Sequence, residues 1–107
     1  MKKYRPHISS IDVKEKETGN TALHLACING HEKIAQFLIK YGININEKNS
    51  EGFVALYYAI YNGLVNTVKI LLDHESYMEC LDKYGNSILH IACELGYFEI
   101  VRYLLEK

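Results

Sequence analysis

The sequence has 107 residues, 49% of them apolar and 23% charged. This is the balance of one globular domain rather than of a disordered segment. Its 12 Lys and Arg against 13 Asp and Glu leave a net charge of −1, which excludes an overall basic footprint for nucleic acid and an acidic tail.

The chain opens on a basic stretch, Met1-Lys2-Lys3-Tyr4-Arg5-Pro6. No apolar run follows it, so no secretory signal is expected. The first helical signal starts at Thr21, an N-cap residue whose hydroxyl can take an orphan backbone N–H. A helix over 22–29 follows and Gly30 ends it. His31 and Glu32 lead into a second helix over 32–41. Its apolar residues Ile34, Phe37, Leu38 and Tyr41 fall at i, i+3, i+4 and i+7, one face of a helix, with Lys33, Gln36 and Lys40 toward water. Gly42 is the second stop. The alternating Ile43-Asn44-Ile45-Asn46 and a polar turn at Asn49-Ser50-Glu51-Gly52 come next.

The run from Phe53 to Tyr61, taken alone, reads as a buried strand, and Asn29-Gly30 and Asn62-Gly63 are hairpin-type dipeptides. Register decides against both. TALHLACINGH from Thr21, VALYYAIYNGL from Val54 and SILHIACELGY from Ser87 align without gaps at a step of 33 residues. The same step joins Gly19, Gly52 and Gly85, then Ala26, Ala59 and Ala92, and then Leu38, Leu71 and Leu104. A fixed period of this size indicates a stacked array whose units bury their apolar faces only against each other. All three copies are therefore read as helix pairs. The nine-residue run Phe53 to Tyr61 is also far short of the roughly 18 residues a membrane span needs, so no membrane association is expected. The three cysteines, Cys27, Cys80 and Cys93, are too few and of the wrong parity for a disulfide framework. They point to a reducing, intracellular compartment, the cytoplasm.

The period, the turn glycine and the helix pair resemble the ankyrin repeat family. The residues carrying the likeness are Gly19-Asn20-Thr21-Ala22-Leu23-His24-Leu25-Ala26 with Asn29-Gly30-His31, and Gly85-Asn86-Ser87-Ile88-Leu89-His90-Ile91-Ala92 with Gly96. The resemblance implies an all-α solenoid of helix-turn-helix units joined by short β-turn fingers. It divides the chain into a leader or partial repeat over 1–15, repeats over 16–48 and 49–81, and a C-terminally incomplete third repeat over 82–107. The family's helix-entry proline is replaced by Ala22, Ala55 and Ile88. The second copy also lacks the threonine and histidine, carrying Val54 and Tyr57. A missing capping hydroxyl costs on the order of 1 kcal/mol. Glu75 stands where this copy's second helix would end on glycine. Ile11-Asp12-Val13 looks like the tail of a preceding repeat, shifted by one from the register. Neither end carries a polar cap, and Ile100, Val101, Leu104 and Leu105 are expected to face partly toward a missing neighbour. The chain thus reads as a short array, cut from or related to a longer one, with bare ends that could self-associate.

Two constellations invite a chemical reading, His24-x-x-Cys27 and His90-x-x-Cys93, both at ligand-like spacing. They lie two repeats apart, roughly 16–20 Å at usual helix spacings, whereas zinc ligands lie within about 2.0–2.3 Å of one ion. Turn-fixing histidines and small core cysteines fit better. No phosphate-binding glycine loop or nucleophile elbow occurs. Neither a catalytic residue nor a cofactor is expected.

The family resemblance places partner contacts at the fingertips and the outer ends of the first helices. Carried over by column, the fingertips give Glu17, Thr18 and Asn20; Ser50, Glu51 and Phe53; and Lys83, Tyr84 and Asn86. The helix ends give Ile28 and Asn29; Tyr61 and Asn62; and Glu94 and Leu95. These columns vary among the three copies while the core columns repeat. Phe53, Tyr61 and Tyr84 stand out because aromatics are favoured interface anchors, and Glu17, Glu51 and Glu94 suit a mildly basic partner segment. The expected function is a non-catalytic protein–protein interaction module, a scaffold or adaptor. The alternatives are a structural spacer in a longer array and a His/Cys metal site.

Overall fold

A computed structural model describes residues 11–74 and 84–107; Glu75, Cys80 and Lys83 lie outside the described residues. Within them the chain is all-α. Helices α1 (Ala22–Ile28) and α2 (Glu32–Lys40) form the first pair, α3 (Ala55–Tyr61) and α4 (Val65–Asp73) the second, and α5 (Ile88–Leu95) and α6 (Phe98–Glu106) the third. Each helix packs on its hairpin mate. In addition, α1, α3 and α5 pack in one row and α2, α4 and α6 in a second. Both helices of the first pair stop one residue short of the sequence reading, with Asn29 and Tyr41 as C-caps.

Local chemistry explains where the inner-row helices begin. The Thr21 hydroxyl accepts the His24 N–H while His24 Nδ1 accepts the Thr21 N–H, a reciprocal capping box. Ser87 and His90 repeat it at α5. Val54 offers α3 no side-chain cap, as its identity requires. The loss is offset by burial: Val54, Ala55, Leu56, Tyr57, Ala59 and Ile60 are all buried, between helices on both sides.

The second helix of the first repeat corrects the sequence reading. Ile34, Phe37 and Tyr41 are exposed, and α2 buries Ala35 and Ile39 with Leu38 partly covered. The apolar stripe is real but lies on the flank that α4 and α6 turn toward the preceding repeat. The small Ala35 marks the side where the helix packs into the core. At the other end Ile100 is fully enclosed and Val101 and Leu104 are partly buried; only Leu105 of the expected four is largely exposed.

The fingers stack as well as the helices. The Ser50 N–H donates to the Thr18 carbonyl at 2.9 Å and its hydroxyl to the Glu17 carbonyl at 3.1 Å. The approach is close at Gly19, where a Cβ would lie 2.8 Å from the Ser50 nitrogen. The leader joins the stack too: Ile11 packs on the core and the Asp12 carboxylate accepts the Asn44 N–H at 2.9 Å.

Candidate functional site

The fingers and the inner-row helix ends are positioned by a polar relay between repeats. His24 is 1% exposed. With Nδ1 accepting from the Thr21 backbone, Nε2 carries the proton and donates to the Phe53 carbonyl at 2.8 Å. The imidazole thus caps α1 and holds the next finger at once. Burial keeps it below its usual pKa, the Phe53 carbonyl pulling the other way.

Phe53 is also tied through Asn49. Asn49 Oδ1 accepts the N–H groups of Glu51 and Phe53, each at 3.0 Å. Its Nδ2 donates to Asn20 Oδ1 at 2.9 Å and to the Tyr58 hydroxyl at 2.7 Å. Asn49 therefore closes its own turn, an Asx-type arrangement, and links finger, helix and preceding finger. Sequence reading saw it only as a turn residue, because its other partners lie 29 and 9 residues away.

Above this relay lies an aromatic cluster. Phe53 stacks on Tyr57 with ring centroids 3.9 Å apart and planes 3° off parallel. Tyr58 meets both edge-on, and Tyr61 leans on Tyr57 at 5.3 Å. Phe53 is half-buried and Tyr57, in the histidine column, is buried; Tyr61 and Tyr84 are 50% and 77% exposed.

The remaining candidates divide by what their side chains touch. Asn20 is buried with its amide oxygen engaged by Asn49. Asn62 is exposed, yet its Nδ2 donates to the carbonyls of Cys27 and Ile28 at 2.8 and 3.0 Å, satisfying the end of α1 from the next repeat. Asn29 donates to the Leu25 carbonyl of its own helix. Thr18 donates to the Glu15 carboxylate. Asn86 is half-buried. Glu17, Ser50, Glu51, Ile28, Glu94 and Leu95 are exposed. Ile28, Tyr61 and Glu94 share one column, and Leu95 follows in the next. An exposed line therefore crosses the inner row, with Ile28 on α1, Tyr61 on α3 and both Glu94 and Leu95 on α5, at roughly the 8–10 Å spacing of packed helices.

The first His/Cys pair is taken up by the fold. Both ring nitrogens of His24 are engaged. Cys27 is fully buried, and burial, helped by the charge of Glu32, pushes its thiol up to about 12, far from a reactive thiolate. Cys93 is exposed. Among the described residues no three His, Cys, Asp or Glu side chains gather as a metal site, and no helix is long and apolar enough to cross a membrane.

Comparison with known proteins agrees with this architecture. A family model described as "Ankyrin repeats (3 copies)" matches residues 4–81 and 44–107. The chain is 36% identical over 95 residues to protein phosphatase 1 regulatory subunit 12A of Mus musculus, covering 87% of this chain and 9% of that protein. It is 31% identical over 101 residues to the protein fem-1 homolog A-like of Mus musculus, covering 94% and 15%. It is 32% identical over 89 residues to a transient receptor potential cation channel subfamily A member 1 homolog of Caenorhabditis elegans, covering 82% and 7%. The chain thus spans between 7% and 15% of the length of these relatives. With the helix pairs in two rows, the stacked fingers and the histidine caps in the matching columns, the chain belongs to the ankyrin repeat family.

Proposed function

We propose that this chain is a protein-binding module without chemistry of its own, and that its partner lies across the inner row and fingertips. The observation that carries the reading is the exposed line Ile28, Tyr61, Glu94 and Leu95 beside the exposed ring of Tyr84. Asn62 ties the end of α1 to the next repeat, and Tyr61 leans on the buried Tyr57. Aromatic anchors bury much area at small entropic cost, so Tyr61 is the central contact and Tyr84 the flanking one. Asn20, Asn62 and Phe53 serve this surface by holding it in place. Glu17, Glu51 and Glu94 favour a segment carrying Lys or Arg. One relative bears the name of a regulatory subunit, a role of the same kind.

The test is partner capture from cell extract with the wild-type chain and with a Tyr61→Ala, Tyr84→Ala variant, read by quantitative mass spectrometry. Tyr84 is largely exposed and Tyr61 half-exposed against Tyr57, and circular dichroism checks that the helices persist in the variant. Proteins captured by the wild type should drop about tenfold or more with the variant, the usual effect of losing an anchor. Equal recovery with both chains rejects this face as the binding surface.

A further inference from the structure

The side of each helix that meets a neighbour can be read from how burial changes along the stack. In one column Ile34 is 54% exposed while Thr67 and Ile100 are 0% and 1%; this column is covered by the preceding repeat. The opposite gradient appears in another, where Ile39 and Leu72 are 5% and 2% exposed but Leu105 is 70%; this one is covered by the following repeat. Leu23, Leu56 and Leu89 follow the second pattern, and so do Cys27, Ile60 and Cys93. One end of the described stack therefore presents Ile34, Phe37 and Tyr41. The other presents Leu89, Phe98 and Leu105. Among the described residues both faces carry large exposed apolar side chains.

We propose that these two faces fit each other, and that a second copy of this chain stacks its α1/α2 face on the α5/α6 face of the first, head to tail. The interface continues the one already built twice within the chain. Phe98 would meet Ile34 of the second copy, in the columns where Glu32 meets Thr67. Leu105 would be covered as Leu72 is. His90 adds a directional contact. It holds the same cap with Ser87 that His24 holds with Thr21, but it is exposed, and among the described residues its Nε2 meets no partner. The carbonyl that receives His24 is that of Phe53, which also takes the Asn49 N–H. One repeat earlier stands Asn20, whose carbonyl takes the Glu15 N–H, a turn one residue wider. His90 is thus matched to the Asn20 carbonyl of an incoming copy. Such contact is heterologous and adds copies without closing.

Sedimentation velocity on the wild-type chain from micromolar to millimolar concentration should show a mass that rises without a plateau. Phe98→Glu with Leu105→Glu blocks one face, and Ile34→Glu with Phe37→Glu blocks the other. All four side chains are more than half exposed, and circular dichroism checks that the helices persist; Leu105→Ser and Phe37→Ser replace them if they do not. Each variant alone should be a monomer. An equimolar mixture should give particles of twice the monomer mass and no larger, since it holds one open face of each kind. A wild type that stays monomeric throughout overturns the proposal, and so does either variant pairing with itself, which would mean a face-to-face dimer.

Discussion

The carboxylate of Glu32, at the start of α2, caps a helix of the next repeat: Oε2 accepts the Thr67 hydroxyl at 3.2 Å and the Thr67 N–H at 3.4 Å. Thr67 is the third residue of α4, where the backbone N–H has no partner within the helix, and Leu64 provides no side-chain cap. The negative charge also suits a helix N-terminus. Replacing Glu32 by Ala would leave the fully buried Thr67 hydroxyl without an acceptor. The expected cost is about 1–2 kcal/mol. Urea midpoints for Glu32→Ala, Thr67→Val and the double variant should show that the second change costs little once the first is made. Strict additivity would mean that the two side chains are not coupled.

His24 gives the fold a defined response to acid. Burial is the main cause of its depressed pKa; Lys14 lowers it further, while the Phe53 carbonyl and Glu47 raise it. A depressed histidine leaves stability intact above its unfolded value of about 6.5. As pH falls from there toward the folded value, the unfolded chain takes up the proton first and stability declines. Protonation of Nδ1 would also set a second donor against the Thr21 N–H. The urea midpoint should therefore fall between about pH 7 and pH 5, and His24→Gln, which retains the reciprocal cap, should fall less steeply. Equal slopes for the two proteins would assign the acid response to other groups.

The glycines of one column offer a matched comparison. Gly19, Gly52 and Gly85 all have positive φ, at 71°, 87° and 81°, so alanine at any of them carries the left-handed cost of roughly 1–2 kcal/mol. Space then separates two of them: among the described residues nothing lies within 4 Å of a Cβ at Gly85, whereas at Gly19 it would press on the Ser50 backbone. Gly19→Ala should cost about 1–3 kcal/mol more than Gly85→Ala, read as a difference in thermal or urea midpoints. Equal midpoints would show that the fingers separate freely.

The middle repeat can be repaired at its helix start. Val54 has the extended backbone of an N-cap and is close in shape to threonine. Val54→Thr should place a hydroxyl where Thr21 has one and raise stability by about 0.5–1 kcal/mol. Loss of stability would mean that the buried hydroxyl fails to reach the Tyr57 N–H.

Much of this architecture is legible in the chain because its evidence is periodic. The helix pairs, the capping residues and the missing cap at Val54 follow from side-chain types at fixed spacing. The buried face of α2 does not. Periodicity finds the stripe Ile34, Phe37 and Tyr41 but cannot say which flank has a neighbour, and Ala35 is too small to register as core. The positioning groups Asn49 and Glu32 are hidden for a related reason. Their partners Asn20 and Thr67 lie about a repeat away, and a polar side chain has the same letter whether it is solvated or bridging. Phe53, expected as a contact, has an aromatic partner in Tyr57 that only the turn geometry reveals.

The relay between repeats also has a kinetic meaning. The bonds from His24 to Phe53, from Asn49 to Asn20, from Asn62 to Cys27 and from Tyr97 to Tyr61 span 29 to 36 residues. Each of these bonds joins one repeat to the next. Forming the stack therefore closes only loops of about one repeat, each at a similar entropic cost. The expected course is initiation at one pair and growth to its neighbours, with a speed set by local closure rather than by the length of the array.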